Sequence, residues 1–368
     1  MTGVGIAAID SDGLNPYGRC LAGAMAEVSG GAVTYLRRRA PVDCTFGVPF
    51  GPERGGPGSR PARALRLAGG LVRVVARARS AHAVLLMWDT GGDAFVALAL
   101  RLTGRRRLVV TLHDPHRPGL NHRFVRWTYT HVADRVLVHS EHLADELTRI
   151  TDVDRGRIAV VPHPSFAALA HGSDPAAARD LLGLPREAQI VLFFGQIRAY
   201  KGIDTLAAAM DTVLGTRPGV HLLVAGSVND PELERELTAL RERYRSAVTL
   251  MTGPAPLDAQ ALDLALSASD LVALPFRTAS QSGSAVYALT HGRPVLTTAV
   301  GSLARLGELG AVHAVPPDDP AAFSTACLEL LADAELRSRL AAAGAAFAQT
   351  ELDPGAIAER IAGLLEGP

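Results

Sequence analysis

The feature that most constrains this fold is a regular alternation of short apolar runs with longer amphipathic stretches, present in both halves of the chain. Runs such as AVLLMWD and RLVVTLHD are short and nearly continuous in apolar residues. Such runs are typical of strands buried on both faces of a parallel sheet. Helical patterns such as DAFVALALRL lie between them. This βαβα order predicts the α/β class, with a doubly wound parallel sheet in each half.

The predicted elements fall into two sets. The first has the strands VGIAAID, AVLLMWD, RLVVTLHD and DRVLVHS, with the helices GRCLAGAMAEV and DAFVALALRL. The second has the strands IVLFFG, VHLLVAG, AVTLMTG, DLVALPF and PVLTT, with the helices IDTLAAAMDTVL, PELERELTALRERY, LDAQALDLALSAS and SAVYALTHG. The segment between them, 163–175, is interrupted by Pro and Gly, as domain junctions often are. We therefore predict a first domain at 1–170, a second at 175–350 and a last helix at 353–366.

Composition and charge exclude several classes of protein. The 37 basic and 37 acidic residues give no net charge, which argues against a dedicated nucleic-acid binder. Cys20, Cys44 and Cys327 are far apart, so neither a disulfide framework nor a zinc site is expected, and a reducing cytoplasm fits. The first residues lack the pattern of a signal peptide, and no apolar run is long enough for a transmembrane helix. These observations predict a cytoplasmic protein.

The charge is distributed unevenly along the chain. Residues 1–175 contain 22 basic and 15 acidic residues, and the segment 64–80 reads as a basic amphipathic helix. A basic first domain could contact an anionic membrane surface at the inner face of the membrane. Solvated arginines on a helix that packs against the sheet explain the same pattern. Both interpretations remain open from the sequence.

Three residues directly after the strand IVLFF predict a phosphate site. Gly195 allows a sharp turn, Arg198 offers a planar fork for two oxygens, and Lys201 offers a compact charge on a flexible stem. Lys201 is the only lysine, while the other 36 basic residues are arginines. A helix is expected to begin just beyond it, and its free N–H groups favour an anion. Ligands bind beyond the carboxyl ends of strands in such sheets.

A second helix start follows the strand DLVALPF. Ser282, Gly283 and Ser284 supply hydroxyl and unhindered N–H groups there, although the spacing is not that of a Walker motif. Two anion sites in one domain suit a diphosphate. An ordinary N-cap is the alternative interpretation of this serine cluster.

These residues carry a family resemblance. FFGQIRAYKGIDTLAAAM, VHLLVAGS and HGRPVLTTAVGSL resemble the second domain of retaining glycosyltransferases of family GT4, which have the GT-B fold. TLHDP, VHSEHLADEL and IAVVPHP in the first half resemble the family more weakly. The resemblance implies two Rossmann-like domains that face each other across a cleft, with a nucleotide sugar held mainly by the second. It also implies that Arg198 and Lys201 contact the donor diphosphate and that the helix at 353–366 crosses back to the first domain.

The chain departs from the family pattern at two positions. Many members carry a Glu-x7-Glu pair whose second carboxylate holds the ribose, but aligning on HGRPV places Ala279 and Tyr287 there. Tyr287 could offer its hydroxyl or ring to the nucleoside, or it could pack in the core. The departure leaves the identity of the donor open, whereas the predicted phosphate site is unaffected.

The first domain supplies further candidates at strand ends. The resemblance implies that His113 orients donor and acceptor near the transferred sugar, with Asp114 fixing its tautomer or a nearby loop. Trp88 could stack on a sugar and Asp89 could bind hydroxyls, although packing explains Trp88 equally well. The resemblance also implies that the segment 10–19 occupies the place of the family's flexible loop, which closes on the donor. Its candidate residues are Asn15, Tyr17 and Gly18.

The resemblance implies a hexosyltransferase-type enzyme that retains configuration and needs no metal. The donor would be a UDP-, GDP- or dTDP-linked sugar, used as a co-substrate without a further cofactor. The acceptor would be a hydroxyl of a glycan, a lipid-linked glycan or a small natural product. Two alternatives remain open: a non-catalytic glycosyltransferase-like partner, favoured by the missing carboxylates, and another GT-B enzyme such as a nucleotide-sugar epimerase.

Overall fold

The protein is described by a computed structural model covering residues 5–10, 16–31, 33–37, 48–49, 60–88, 91–104, 106–113 and 122–367. It divides into two compact units. The first comprises Met1–Pro164 together with Asp353–Pro368, and the second comprises Ser165–Leu352. The two units meet at 164/165 and 352/353, a few residues from the predicted domain limits at 170, 175 and 350.

The first unit contains a parallel seven-stranded sheet. Its strands are β1 (Ile6–Asp10), β2 (Val33–Arg37), β3 (Val48–Pro49), β4 (Ala83–Leu86), β5 (Arg107–Thr111), β6 (Arg135–Val138) and β7 (Ile158–Val160). Its helices are α1 (Pro16–Val28), α2 (Arg60–Ala78), α3 (Gly91–Leu102), α4 (His122–His131) and α5 (Glu141–Ile150). The strand order is β3-β2-β1-β4-β5-β6-β7, so the order reverses between β1 and β4.

The second unit contains a parallel six-stranded sheet in the order β10-β9-β8-β11-β12-β13. Its strands are β8 (Gln189–Phe194), β9 (Val220–Ser227), β10 (Val248–Gly253), β11 (Leu271–Leu274), β12 (Val295–Thr298) and β13 (His313–Val315). Its helices are α6 (Pro175–Leu182), α7 (Ile203–Thr216), α8 (Pro231–Arg243), α9 (Ala259–Ala268), α10 (Gly283–Thr290), α11 (Gly301–Glu308), α12 (Pro320–Ala332) and α13 (Ala334–Thr350). Here the order reverses between β8 and β11.

The final helix, α14 (Pro354–Glu366), belongs to the first unit, where it packs against α1. The Arg107 guanidinium donates to the carbonyl of Leu364 at 2.9 Å, and Arg360 donates to the carbonyl of Val160 at 2.9 Å. An arginine of β5 and an arginine of α14 therefore hold the last helix against the first sheet.

Local sequence signals explain where many helices begin. Aspartate N-caps accept a hydrogen bond from the first turn of six helices, at Asp174, Asp230, Asp258, Asp319, Asp333 and Asp353. Proline occupies the first turn after four of them, where its missing N–H costs nothing. These caps determine the residue at which each of these helices begins.

The α/β fold with two doubly wound parallel sheets is confirmed, and so are the nine strands expected from apolar runs. The prediction missed the short strands β2, β3, β7 and β13. Among the described residues, no helix is long and apolar enough to cross a bilayer. Each sheet reverses its strand order, and carboxyl-end residues at such a reversal are placed to bind ligands.

Candidate functional site

The turn after β8 is built around Gly195. Its φ is +109°, a backbone conformation that favours glycine. A side chain here would also meet two polar atoms, because an added Cβ would lie 2.9 Å from both Lys201 Nζ and Ser284 Oγ. Glycine is therefore required on two independent grounds, and the missing side chain leaves room for these two groups at the end of the strand.

Lys201 lies in a short 3-10 turn before α7 and is only 7% exposed. Its ammonium donates to Ser284 Oγ at 3.4 Å and lies 5.0 Å from the centre of the Phe276 ring. Burial, reinforced by the nearby charge of Arg198, lowers the pKa of Lys201 to about 8. A buried ammonium without a carboxylate in these contacts would gain strongly from an anionic ligand.

The Lys201 turn is locked to the end of β11. Gly202 has φ +68°, and any Cβ there would collide with the carbonyl oxygen of Pro275. One step further, the N–H of Arg277 donates to the carbonyl of Tyr200 at 2.8 Å. The loops after β8 and β11 meet where the strand order reverses, as expected for a ligand site in this type of sheet.

Helix α10 begins beside Lys201. Ser282 caps it by accepting from the Ala285 N–H at 3.1 Å, so the N-cap interpretation of this residue is correct. Ser284 Oγ lies between the Lys201 ammonium and the Phe194 carbonyl, at 3.4 and 3.5 Å. The first N–H groups of a helix have no intrahelical acceptor. The positive end of α10, with Gly283 leaving the backbone uncovered, therefore lies next to the buried lysine.

Arg198 is exposed at the start of the same turn. The structure thus brings together Gly195, Arg198, Lys201 and the Ser282–Ser284 helix start, all in the second unit. It assembles one cationic group of residues from two stretches of sequence about eighty residues apart. We call this group, which comprises Gly195, Arg198, Lys201 and residues 282–284, the cationic pocket.

Tyr287 does not line the cationic pocket with its ring. Its side chain is 3% exposed and lies among other rings, at 4.9 Å from Phe166 and 4.9 Å from His291 between ring centres. The His291 ring is stacked on it at an interplanar angle of 21°. This burial favours the core-packing interpretation over contact with a nucleoside.

The first unit gathers a different group at the carboxyl ends of its strands. Trp88 follows β4, and its ring stacks on His113, which follows β5, with 4.3 Å between ring centres. Tyr17, from the first turn of α1, contacts both rings edge-on. Trp88 is 6% exposed and Tyr17 is fully buried, which favours the packing interpretation of Trp88 over stacking on a sugar. His113 is half-buried.

Gly18 also has a structural explanation. It lies in α1, and a Cβ there would collide with the Asp10 carboxylate. Tyr17 and Gly18 thus form the first turn of a packed helix, which corrects their assignment to a flexible donor-closing loop. Asn15, Asp89 and Asp114 lie outside the described residues.

Several members of this group were not anticipated. Asp10 ends β1, while His139 and His163 follow β6 and β7. His139 lies 4.9 Å from His113 and 5.4 Å from His163 between ring centres. Burial lowers the pKa of His139 to about 4 and that of His163 to about 3, in the latter case with the neighbouring His139 adding to the effect. A polar residue at the end of the predicted strands VGIAAID and DRVLVHS was the available signal for Asp10 and His139.

Within the part of the chain that is described, no group of three or more His, Cys, Asp or Glu side chains is arranged to hold a metal ion. The three histidine rings instead make backbone hydrogen bonds to Met87, Val161 and Pro164. The cationic pocket is therefore the group in this structure whose chemistry most directly suits a phosphate ligand.

Two family sequence models match the two halves of the chain. Residues 13–164 match Glycosyltransferase Family 4, and residues 188–333 match Glycosyl transferases group 1. The chain belongs to glycosyltransferase family 4. The cationic pocket lies in the region matched by the second model, and His113 in that matched by the first.

Curated relatives agree with this family. The chain is 37% identical over 172 residues to a D-inositol 3-phosphate glycosyltransferase of Segniliparus rotundus, covering 46% of this chain and 38% of the relative. It is 32% identical over 230 residues to the enzyme of that name from Streptomyces avermitilis, covering 59% and 48%. The match thus spans less than half the length of either relative.

Two solved structures show the same fold as this chain. Sucrose-phosphate synthase from Thermosynechococcus elongatus superimposes with a TM-score of 0.77, covering 98% of this chain and 97% of that chain at 23% identity. Anabaena HepE in complex with UDP and glucose gives a TM-score of 0.76, covering 99% and 100% at 20% identity. The fold of this chain is accordingly GT-B.

Proposed function

We propose that this protein transfers a sugar from a nucleotide-diphosphate donor to a hydroxyl acceptor. The single observation that carries the proposal is the buried Lys201 ammonium, which lies beside the positive end of α10 at the carboxyl end of β8. Because folding has already removed most water from this ammonium, its attraction to a diphosphate is strong and little further desolvation of the lysine is needed on binding. Membership of family 4 supports the same reaction.

In the proposed reaction, negative charge grows on the diphosphate as the bond to the sugar breaks. Lys201, Arg198 and the start of α10 would stabilise that charge. A preorganised donor of this kind can contribute roughly 3–4 kcal/mol to transition-state stabilisation. The cations could thereby replace a metal, so the proposed reaction is metal-independent. We expect retention of configuration, with the leaving phosphate taking the proton of the attacking hydroxyl.

The proposed donor is a UDP-sugar, with GDP- and dTDP-sugars as the candidates to be tested beside it. Structures of Anabaena HepE with UDP and with UDP-glucose motivate this order. The acceptor belongs to the hydroxylated class of glycans, lipid-linked glycans and small natural products. The names of the curated relatives add a phosphorylated polyol to the acceptors worth testing.

His113 is proposed to orient the reacting groups in the first unit. It follows β5, and it is half-buried whereas His139 and His163 are buried. Its Nε2 lies 2.9 Å from the carbonyl oxygen of Met87, which can only accept, so Nε2 carries the proton. This bond fixes the ring at the end of β5, where the proposed role is to orient a sugar hydroxyl.

Thermal-shift and turnover measurements test this function. UDP, GDP and dTDP are each added to the purified protein, and the one that binds should raise the unfolding temperature by mass action. Lys201→Ala should abolish the rise. Arg245→Ala, an exposed basic residue outside the cationic pocket, is the matched control and should preserve it. No shift with any nucleotide, together with no hydrolysis or transfer of any nucleotide sugar, would favour the non-catalytic alternative.

Contact with a membrane is a separate proposal. Helix α3 packs against both α2 and α4, and these two helices contain no acidic residue. The exposed apolar residues on the three helices include Val72, Phe95 and Trp127, at 68%, 59% and 42% exposure. Exposed aromatic and aliphatic side chains among arginines suit the interface of an anionic bilayer.

Vesicle flotation tests this contact. The protein should float with phosphatidylglycerol vesicles at low salt and not with phosphatidylcholine vesicles, and Trp127→Ser should weaken the association. Leu181→Ser, at an exposed leucine of the second unit, is the matched control and should change nothing. Equal flotation with both lipids, or none with either, would contradict the proposal.

A further inference from the structure

Asp10 is a fully buried carboxylate at the point where the first sheet reverses its strand order. It ends β1, its relative exposure is 0%, and its neighbour across the reversal is β4, which leads into Trp88. A buried carboxylate is costly unless other groups donate hydrogen bonds to it. Its position at a ligand-binding edge of the sheet, rather than in the helix layer, suggests a role beyond packing.

The contacts of Asp10 connect it to Trp88. The indole Nε1 of Trp88 donates to Asp10 Oδ1 at 2.7 Å, and the Tyr35 hydroxyl donates to Oδ2 at 2.5 Å. Gly18 packs so closely that a Cβ would collide with this carboxylate. Hydrogen bonds to an ionised acceptor are the stronger kind. The indole is thus held in one orientation by a charged group that is itself fixed.

The oriented indole in turn supports His113. The two rings lie 4.3 Å apart at an angle of 25°, so the face of the imidazole rests on the indole. The carbonyl of Met87, one residue before Trp88, accepts from His113 Nε2 at 2.9 Å. Two consecutive residues therefore fix both the ring plane and the proton position of His113.

We propose that Asp10 is a positioning residue, which acts through Trp88 to hold His113 in one ring orientation and one tautomer. The proposal rests on the proposed function, in which His113 orients the reacting groups. Asp10 itself is fully buried, so in this proposal it acts through Trp88 and not by direct contact with substrate. Plain packing is the competing explanation, and it predicts that changes at Asp10 alter stability without altering His113.

A double-mutant cycle separates these explanations. Asp10→Asn and Trp88→Phe are each measured alone and combined with His113→Ala, using the full chain. Each single change should lower kcat about tenfold with the KM for the nucleotide sugar unchanged, and each effect should vanish once His113 is absent. An effect of the same size in the His113→Ala background would overturn the proposal, because the residues would then act independently.

Tyr35→Phe is the matched control. It removes the other hydrogen bond to the same carboxylate and leaves the bond between Asp10 and the Trp88 indole in place. Turnover should change less than threefold. A tenfold loss in this variant as well would indicate general disruption of the buried carboxylate and would count against the proposal.

A measurement that does not depend on turnover tests the positioning role of Asp10 separately from the proposed function. The ¹⁵N chemical shifts of the His113 ring should report the Nε2–H tautomer in the wild type and a mixture in Asp10→Asn and Trp88→Phe. Unchanged shifts in both variants would overturn the positioning role. If His113→Ala leaves turnover intact, the proposed role of His113 fails, while the shifts still decide whether Asp10 fixes the ring.

Discussion

His291 and Asp263 form a buried pair in which the imidazole faces an acceptor on each side. His291 Nε2 lies 2.9 Å from Asp263 Oδ1, and Nδ1 lies 3.0 Å from the carbonyl oxygen of Tyr287. Both oxygens can only accept, so they hold the imidazole ring between the Asp263 carboxylate and the backbone of α10. Burial tends to raise the pKa of the Asp263 carboxyl, but the bonds from His291 and from the N–H groups of Gly172 and His171 lower it overall.

This pair ties the segment that enters the second unit to α9 and α10. Asp263 accepts from the N–H groups of His171 and Gly172 at 3.2 Å each, and Ser173 Oγ donates to its second oxygen at 3.3 Å. The N–H of Phe166 donates to Thr290 Oγ1 of α10 at 3.3 Å. The helix that begins at the cationic pocket therefore ends at residues bound to this segment.

Asp263→Asn should destabilise the second unit by about 3 kcal/mol, because it removes a buried carboxylate that accepts from His291 and from the N–H groups of His171 and Gly172. Urea unfolding followed by circular dichroism measures this loss, and hydrogen exchange should quicken at the amides of His171 and Gly172. Asp180→Asn, which breaks the exposed pair with Arg186, is the control and should leave the midpoint unchanged. Equal midpoints for both variants would show that the buried Asp263 carboxylate contributes no more to stability than the exposed Asp180 does.

Gly195→Ala should abolish donor binding while the protein still folds. The alanine would be strained at φ +109° and would place its Cβ 2.9 Å from the ammonium of Lys201 and the hydroxyl of Ser284. Calorimetry with the nucleotide that binds the wild type measures the loss. Gly215→Ala in α7, where an added Cβ meets nothing within 4 Å, is the matched control and should bind normally. Normal binding by Gly195→Ala would show that the turn is not part of the site.

The buried histidines of the first unit predict acid instability. The folded protein holds the pKa of His139 near 4 and that of His163 near 3, below about 6.5 in an unfolded chain. The unfolded state therefore binds more protons as the pH falls below about 6.5, and stability falls with it. The loss approaches about 1.4 kcal/mol per pH unit for each histidine until the folded pKa is reached.

Urea unfolding at pH 7 and pH 5, followed by tryptophan fluorescence, tests this dependence. Both tryptophans, Trp88 and Trp127, lie in the first unit and report on it. His163→Asn removes one of the two groups and should make the dependence on pH shallower than in the wild type. If the variant and the wild type lose equal stability between the two pH values, His163 is not a source of the effect.

The parts of the site that were predictable from the sequence are those set by local geometry. Gly195, Arg198 and Lys201 lie within seven residues, and a strand followed by a helix places them at one sheet edge whatever the rest of the chain does. The group around Asp10 was not predictable in the same way, because Tyr35, Trp88 and His113 come from separate strands. Their contacts depend on sheet register, which the apolar pattern alone does not determine.

Tyr287 illustrates the same limit. Its sequence position predicted either nucleoside contact or packing, and only the ring contacts with Phe166 and His291 distinguish the two. We expect Tyr287→Phe to leave the dissociation constant of the donor nucleotide unchanged, since the ring fills the core in both proteins. Calorimetry measures this constant. A several-fold weaker constant would instead mean that the hydroxyl acts on the nucleoside.

Lys201 should make donor binding depend on pH in a way that arginine cannot reproduce. Its pKa of about 8 means that the ammonium loses its proton as the pH rises through 8, so the nucleotide diphosphate should bind about tenfold more weakly at pH 9 than at pH 7. Lys201→Ala should lose at least about 100-fold in turnover, equivalent to about 3 kcal/mol.

Lys201→Arg is the more informative variant, because it keeps the positive charge but replaces a compact ammonium with a planar guanidinium. The space beside Gly195, Ser284 and the Phe276 ring is filled by a compact ammonium, and a planar guanidinium would have to displace one of them. We expect at least tenfold weaker binding at pH 7 and a flat profile up to pH 9, since arginine stays charged. Calorimetry at pH 7, 8 and 9 measures both effects. Wild-type affinity in Lys201→Arg, or a wild type that binds equally well at pH 7 and 9, would show that the one lysine of this chain is interchangeable with its 36 arginines.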